Sequence, residues 1–76
     1  MSQGYSLRLR DLNRRAPSKL LGVRLGRVCV KHNVPVTVVA QRMGVTRQTV
    51  YNWFAGTTNP QPALISLIET YIAQFA

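Results

Sequence analysis

The chain has 76 residues, with 10 Lys and Arg against 2 Asp and Glu, and a formal net charge of +8 at pH 7. This length gives one small domain, and the single cysteine excludes an internal disulfide. The only side-chain carboxylates are Asp11 and Glu69, and there is one histidine, so the composition argues against a paired-carboxylate active site and a zinc site. We therefore expect no enzyme activity, no cofactor and no metal.

The strong positive charge indicates the class of partner. In a small domain it favours a nucleic acid over an anionic membrane surface or an acidic protein. No apolar run approaches the roughly 20 residues of a membrane span, so we expect no membrane partner. A lone cysteine is typical of a reducing compartment, which predicts a cytoplasmic protein.

Residues 1–16 are expected to form a basic N-terminal arm ahead of a domain at residues 17–76. Apolar and polar residues alternate from Tyr5 to Arg10, as they do in a strand. A single strand needs a partner, so the arm is irregular, lies on the domain or pairs across a dimer. Two interpretations stay open: a solvated tail, or an arm whose arginines contact phosphates, namely Arg8, Arg10, Arg14 and Arg15.

The first helix is predicted over about residues 17–32, with Ser18 as its N-cap. Gly22 and Gly26 would let another backbone come close to this helix. The arm or a partner subunit would then pack on the apolar strip around Val23. The predicted buried stripe consists of Leu21, Leu25, Val28, Cys29 and His32.

Three further helices are predicted along the rest of the chain. The second spans roughly Val36–Met43 and is stopped by Gly44. The third begins with Thr46 as its N-cap, runs to about residue 55 and is closed by Gly56. The fourth starts at residue 60 or 62 and runs to about Phe75, with apolar residues at helical spacing.

Residues 36–55 have the pattern of a helix-turn-helix unit. A small residue, Ala40, stands where the two helices cross, and Gly44 stands at the bend between them. Apolar side chains at the inner positions would fix both helices to the rest of the domain. These positions are Val39, Met43, Val45, Val50 and Trp53.

The segment VAQRMGVTRQTVYNW at residues 39–53 resembles the lambda-repressor/Cro superfamily, of the XRE type, and the resemblance extends over about residues 20–73. It implies an all-α, compact four- to five-helix domain that binds double-stranded DNA in the major groove, usually as a homodimer. Val36 departs from the family, because a phosphate-holding glutamine is common there, and Thr37 is the nearest substitute. Phe54 and Ala55 replace the common Glu-Asn pair, so Phe54 either packs inward or lies exposed near DNA.

One face of the third predicted helix suits base recognition. At about 100° per residue, Val50, Trp53 and Phe54 point to the side opposite this face. Gln and Asn side chains pair well with adenine, and Arg pairs well with guanine. The predicted base contacts are Arg47, Gln48, Tyr51 and Asn52.

Phosphate contacts are expected around the same helix. Arg42 ends the helix that crosses the DNA backbone, and Thr46 stands at a helix N-terminus, whose N–H groups suit an anion. In the family, the loop after the third helix commonly lies on the DNA backbone. The predicted phosphate contacts of the domain are Thr37, Arg42, Thr46, Thr49, Thr57, Thr58 and Asn59.

The favoured function is a sequence-specific transcriptional regulator of the Cro or phage-repressor kind, in the cytoplasm of a bacterial or phage-infected cell. The candidate dimer surfaces are the exposed parts of the last helix, with Ile65, Ile72 and Phe75, and the arm strand. One alternative is a DNA-binding accessory or architectural factor with little sequence preference. Another is an adaptor that uses the fold to bind a protein such as RNA polymerase.

Overall fold

Five α-helices follow one another in the part of the chain that the computed structural model describes, residues 6–75. They are α1 (Leu7–Arg15), α2 (Leu21–Lys31), α3 (Val36–Met43), α4 (Arg47–Ala55) and α5 (Pro62–Ala73). No residue between 6 and 75 belongs to a strand, so the predicted all-α fold of four to five helices is confirmed.

Helix α1 occupies most of the predicted arm. Its N-cap is Ser6, whose Oγ accepts a hydrogen bond from the backbone N–H of Leu9 at 3.1 Å. Leu9 and Asn13, at i and i+4, are only 7% and 4% exposed, whereas Leu7 is 82% exposed. The predicted strand is therefore wrong here, because the buried positions recur with the helical period rather than with a period of two. The rest of the arm, residues 1–5, lies outside the described residues.

Helix α2 begins later than predicted. Its N-cap is Leu20, whose side chain makes no capping hydrogen bond. The backbone N–H of Leu20 bonds to the carbonyl oxygen of Pro17 at 3.2 Å and closes a turn. The prediction of Ser18 as N-cap is wrong because this turn holds residues 18–20 outside the helix.

The predicted buried stripe of α2 is confirmed at its centre and wrong at its end. Leu25 and Cys29 are 0% exposed. His32 lies beyond the helix and is exposed, with its ring centroid 4.8 Å from that of Phe75. Burial raises the pKa of the Cys29 thiol to about 12, so this side chain stays protonated in the core.

Two glycines bring α4 against α2. A Cβ on Gly22 would lie 2.7 Å from the Cβ of Trp53 and 2.9 Å from its carbonyl oxygen. A Cβ on Gly26 would lie 2.8 Å from the Cγ of Phe54 and would also overlap Asn13. The predicted close approach at these glycines is confirmed. The elements that come close are α4 and α1 of the same chain.

The last three helices follow the prediction closely. Helix α3 ends at Gly44, where φ is 69°, and α4 runs from its N-cap Thr46 to Gly56, where φ is 78°. Helix α5 begins at Pro62 and ends two residues before Phe75. It packs on α2 and α3, and α2 also contacts α1 and α4.

Gly22→Ala is expected to destabilise the fold, although alanine in a helix is favoured over glycine by about 1 kcal/mol. The new methyl group would have to displace the backbone of Trp53, and overpacking of this kind costs about 1–3 kcal/mol. Urea unfolding measures the net change. Ser66→Ala, at an exposed position of α5, is the control and should change the unfolding free energy by less than about 0.5 kcal/mol. A Gly22→Ala protein more stable than the parent would contradict the close packing.

Candidate nucleic-acid interface

Helix α4 is held by one face and exposes the other. Val50, Trp53 and Phe54 are 0%, 2% and 0% exposed, so the choice left open for Phe54 is decided in favour of inward packing. The remaining faces carry the four residues predicted to contact bases. Arg47, Gln48 and Tyr51 are exposed, and Asn52 is half-buried.

The exposed face of α4 carries a linked pair of amides. The Nε2 of Gln48 donates a hydrogen bond to the Oδ1 of Asn52 at 3.1 Å. The two residues are one helical turn apart, so the bond aligns them along the helix axis. A side-chain amide offers both a donor and an acceptor, and this is the combination that recognises the major-groove edge of adenine.

The N-terminus of α4 is capped by a threonine. The Oγ1 of Thr46 accepts a hydrogen bond from the backbone N–H of Thr49 at 3.2 Å and lies 2.9 Å from the Thr49 hydroxyl. The predicted N-cap role of Thr46 is thus confirmed. Thr49 is half-buried, so its hydroxyl lies at the edge of the exposed face.

Helix α1 forms a wall beside the exposed face of α4. A shallow depression of about 290 Å³ lies at the surface between the two helices. It brings Arg8, predicted as a phosphate contact, close to three of the predicted base-contacting residues. The lining residues are Ser6, Arg8, Leu9 and Leu12 from α1 and its cap, and Gln48, Tyr51, Asn52, Ala55 and Thr57 from α4 and the following loop.

A buried asparagine fixes α1 to α4. The Nδ2 of Asn13 donates to the carbonyl oxygen of Phe54 at 2.8 Å and to that of Val23 at 3.2 Å. The Phe54 carbonyl lies in the last turn of α4, where carbonyls lack donors within the helix. One side chain therefore joins α1, α2 and the C-terminal turn of α4. This role of Asn13 was not predicted from the sequence, because a polar residue in an arginine-rich segment gives no sign of burial.

The four arginines predicted to contact phosphates do not all lie on the same flank of α1. Positions 8 and 10 are about 200° apart on a helix, and Arg8 faces the depression beside α4 while Arg10 and Arg14 line the opposite flank. Asp11 forms ion pairs with Arg14 at 3.0 Å and with Arg15 at 3.2 Å. Of this group, Arg8 lines the depression beside the exposed face of α4.

Arg27, on α2, has a structural role. Its Nη2 donates to the carbonyl oxygens of Ala16 at 3.0 Å and Arg14 at 3.1 Å, with a longer bond of 3.4 Å to that of Asn13. These carbonyls lie at the C-terminus of α1, where a cation is favourable. Arg27 therefore helps to hold α1 on α2.

The other predicted phosphate contacts lie on the surface around α4. The guanidinium carbon of Arg42 lies 5.5 Å from the ring centroid of Tyr71, which places this cation against α5 at the end of α3. Burial raises the pKa of the Tyr71 hydroxyl, so the ring stays neutral beside the guanidinium. The remaining candidates are exposed, in the first turn of α3 and the loop after α4: Thr37, Thr57, Thr58 and Asn59.

A family model described as Helix-turn-helix matches residues 23–73. The chain belongs to this family. The family is of the XRE, lambda-repressor-like type and is a DNA-binding family, so the resemblance found over residues 20–73 is confirmed. No curated protein and no solved structure matches the chain.

In this helix-turn-helix protein, α3 and α4 are the two helices of the DNA-binding unit, and Gly44 makes the turn between them. The second helix of such a unit is the one that enters the major groove. Helix α1 precedes the matched residues, so it is an addition to the part of the fold that the family model covers. Within residues 6–75, none of the helices has both the length and the apolar character that a membrane crossing requires.

Proposed function

We propose that the protein is a sequence-specific transcriptional regulator of the Cro-like kind, which binds double-stranded DNA with α4 in the major groove. The observation that supports this most is the hydrogen-bonded pair Gln48–Asn52 on the exposed face of α4. Arg47, at the exposed N-terminal end of the same helix, supplies a side chain suited to guanine. Tyr51 completes the proposed base-reading surface from the side of α1.

The proposed phosphate contacts surround this surface and set its register on the duplex. Arg42 and Thr46 flank the turn between α3 and α4, and the exposed loop at residues 57–59 follows α4. From α1, the proposed interface takes Arg8, because this arginine lines the depression beside Gln48 and Asn52. The formal charge of +8 adds a sequence-independent attraction to DNA.

We propose further that two copies bind through α5. Ile65 on this helix is 39% exposed, Ile72 lies two turns later on the same face and is half-buried, and Phe75 is half-buried just after the helix. Exposed apolar side chains of this kind suit a self-complementary interface. A dimer formed by a strand of residues 7–10 is incompatible with the helix found there, which leaves α5 as the proposed surface.

Selection of duplexes from a random pool is expected to yield a defined motif, and a palindromic one if two copies bind through α5. Gln48→Ala and Asn52→Ala should each relax the preference at particular positions of that motif, because each lost contact discriminates by about 1–3 kcal/mol. Competition binding at fixed salt, with matched and mismatched duplexes, measures this loss.

Gln74→Ala is the matched control, because it removes an exposed amide just after α5, away from α4. It should leave the base preference unchanged. Equal weakening of Gln48→Ala on all duplexes would contradict base recognition. A chain that selects no motif and binds every duplex alike would instead be an accessory or architectural factor, and one that binds no duplex would favour an adaptor.

Arg8→Ala should reduce the salt dependence of DNA binding. Loss of one phosphate contact lowers the slope of log K against log salt by about 0.9. Arg10→Ala is the matched control, since it removes the same charge from the opposite flank of α1 and should leave the slope nearly unchanged. Titrations at several salt concentrations measure both slopes. Equal changes in the two variants would show that α1 acts only through its total charge.

A further inference from the structure

A second groove lies between α1 and α2, on the flank of α1 that faces away from α4. Its volume is about 790 Å³. We call it the basic groove; it is lined by the cations Arg10, Arg14, Arg27 and Lys31, the apolar residues Leu7 and Val30, and also by Asp11 and Asn13. Nothing in the proposed DNA interface uses it.

Two of the four cations have no anionic partner in the part of the chain that the structure describes. Arg27 is bonded to carbonyl oxygens at the end of α1, and Arg14 is paired with Asp11. Asp11 itself is shared between Arg14 and Arg15, and it forms no ion pair with Arg10 or Lys31. The basic groove therefore presents the exposed charges of Arg10 and Lys31 to an incoming anion.

Apolar surface accompanies this charge. Leu7 is 82% exposed at one end of the groove, and Val30 is half-buried on α2. On α1 the lining positions 7, 10, 11 and 14 share one helical face, with Asn13 beside it, and on α2 the lining positions are 27, 30 and 31, so each wall is formed mainly by one face of a helix. Two such walls form the kind of groove in which an amphipathic helix is bound by apolar anchors and flanking charges.

We infer that the basic groove binds an acidic, amphipathic segment of a partner protein while α4 remains on DNA. The carboxylates of such a segment complement Arg10 and Lys31, and its apolar side chains contact Leu7 and Val30. Duplex DNA is a poorer occupant, because a phosphate backbone offers nothing to cover an exposed leucine. In addition, α1 stands between the groove and the depression that contains Gln48 and Asn52.

The test is a selection of short random peptides on the 76-residue chain. We expect the enriched peptides to combine Asp or Glu with Leu or Ile at helical spacing. Fluorescence anisotropy with the leading synthetic peptide should show binding that weakens by about tenfold or more in Arg10→Glu and in Lys31→Glu. Both side chains are exposed, so the charge reversals leave the core intact.

Lys19→Glu is the matched control, because it makes the same charge change at an exposed position outside the groove. It should leave peptide binding within about twofold of the parent, since surface charges at a distance are screened by salt. Equal weakening in Lys19→Glu and Lys31→Glu would overturn the inference, because net charge alone would explain binding. Enrichment of peptides without acidic residues, or failure to enrich any peptide, would overturn it as well.

Peptide binding measured with and without a duplex that α4 binds tests whether the basic groove is separate from the DNA interface. The peptide should bind the protein–DNA complex and the free protein with the same affinity. Displacement of the peptide by the duplex would show that the groove faces DNA and would overturn the inference. The peptide measurements on the free protein do not depend on DNA binding. They therefore test the groove even if the proposed DNA-binding function is wrong.

Discussion

The close packing of α4 on α2 is the constraint on which the rest of the structure depends. Gly22 lies against the Cβ and backbone of Trp53, and Gly26 lies against the side chains of Phe54 and Asn13. Since Trp53, Phe54 and Val50 are buried, the rotation of α4 about its own axis is fixed. The amides of Gln48 and Asn52 consequently point outward, and their exposure is a product of packing on the other side of the helix.

Helix α1 gives this small domain two distinct surfaces. Asn13 and Arg27 hold α1 against α2 and α4 through hydrogen bonds to backbone carbonyls. One flank then adds Arg8 to the exposed face of α4, and the other forms the basic groove with α2. Cations therefore lie on both flanks of α1: Arg8 beside the face of α4 that we propose binds DNA, and Arg10 and Arg14 in the groove that we propose binds an acidic segment.

The helix-turn-helix unit was predictable from sequence because its signals are local. Thr46 caps α4, and Gly44 and Gly56 end helices with positive φ, so residues a few positions apart define each boundary. Helix α1 was not predictable in the same way. Its alternating leucines imitate a strand, and its anchor, Asn13, bonds to carbonyls 10 and 41 positions away, which no local pattern reveals.

The candidate site, too, was predictable from sequence only where the signal is local. The outward residues of α4 followed from helical periodicity, since the buried face of Val50 and Trp53 determines the opposite one. The separation of Arg8 from Arg10 and Arg14 did not follow, because it requires knowing that the segment is helical and which neighbour lies on each side.

The most direct test of the central claim is an NMR titration of the free protein with a selected duplex. The side-chain amide signals of Gln48 and Asn52 should shift or exchange strongly, while that of Asn33, in the turn after α2, stays in place. Shifts confined to other parts of the chain, with Gln48 and Asn52 unmoved, would contradict the assignment of this face of α4 to DNA.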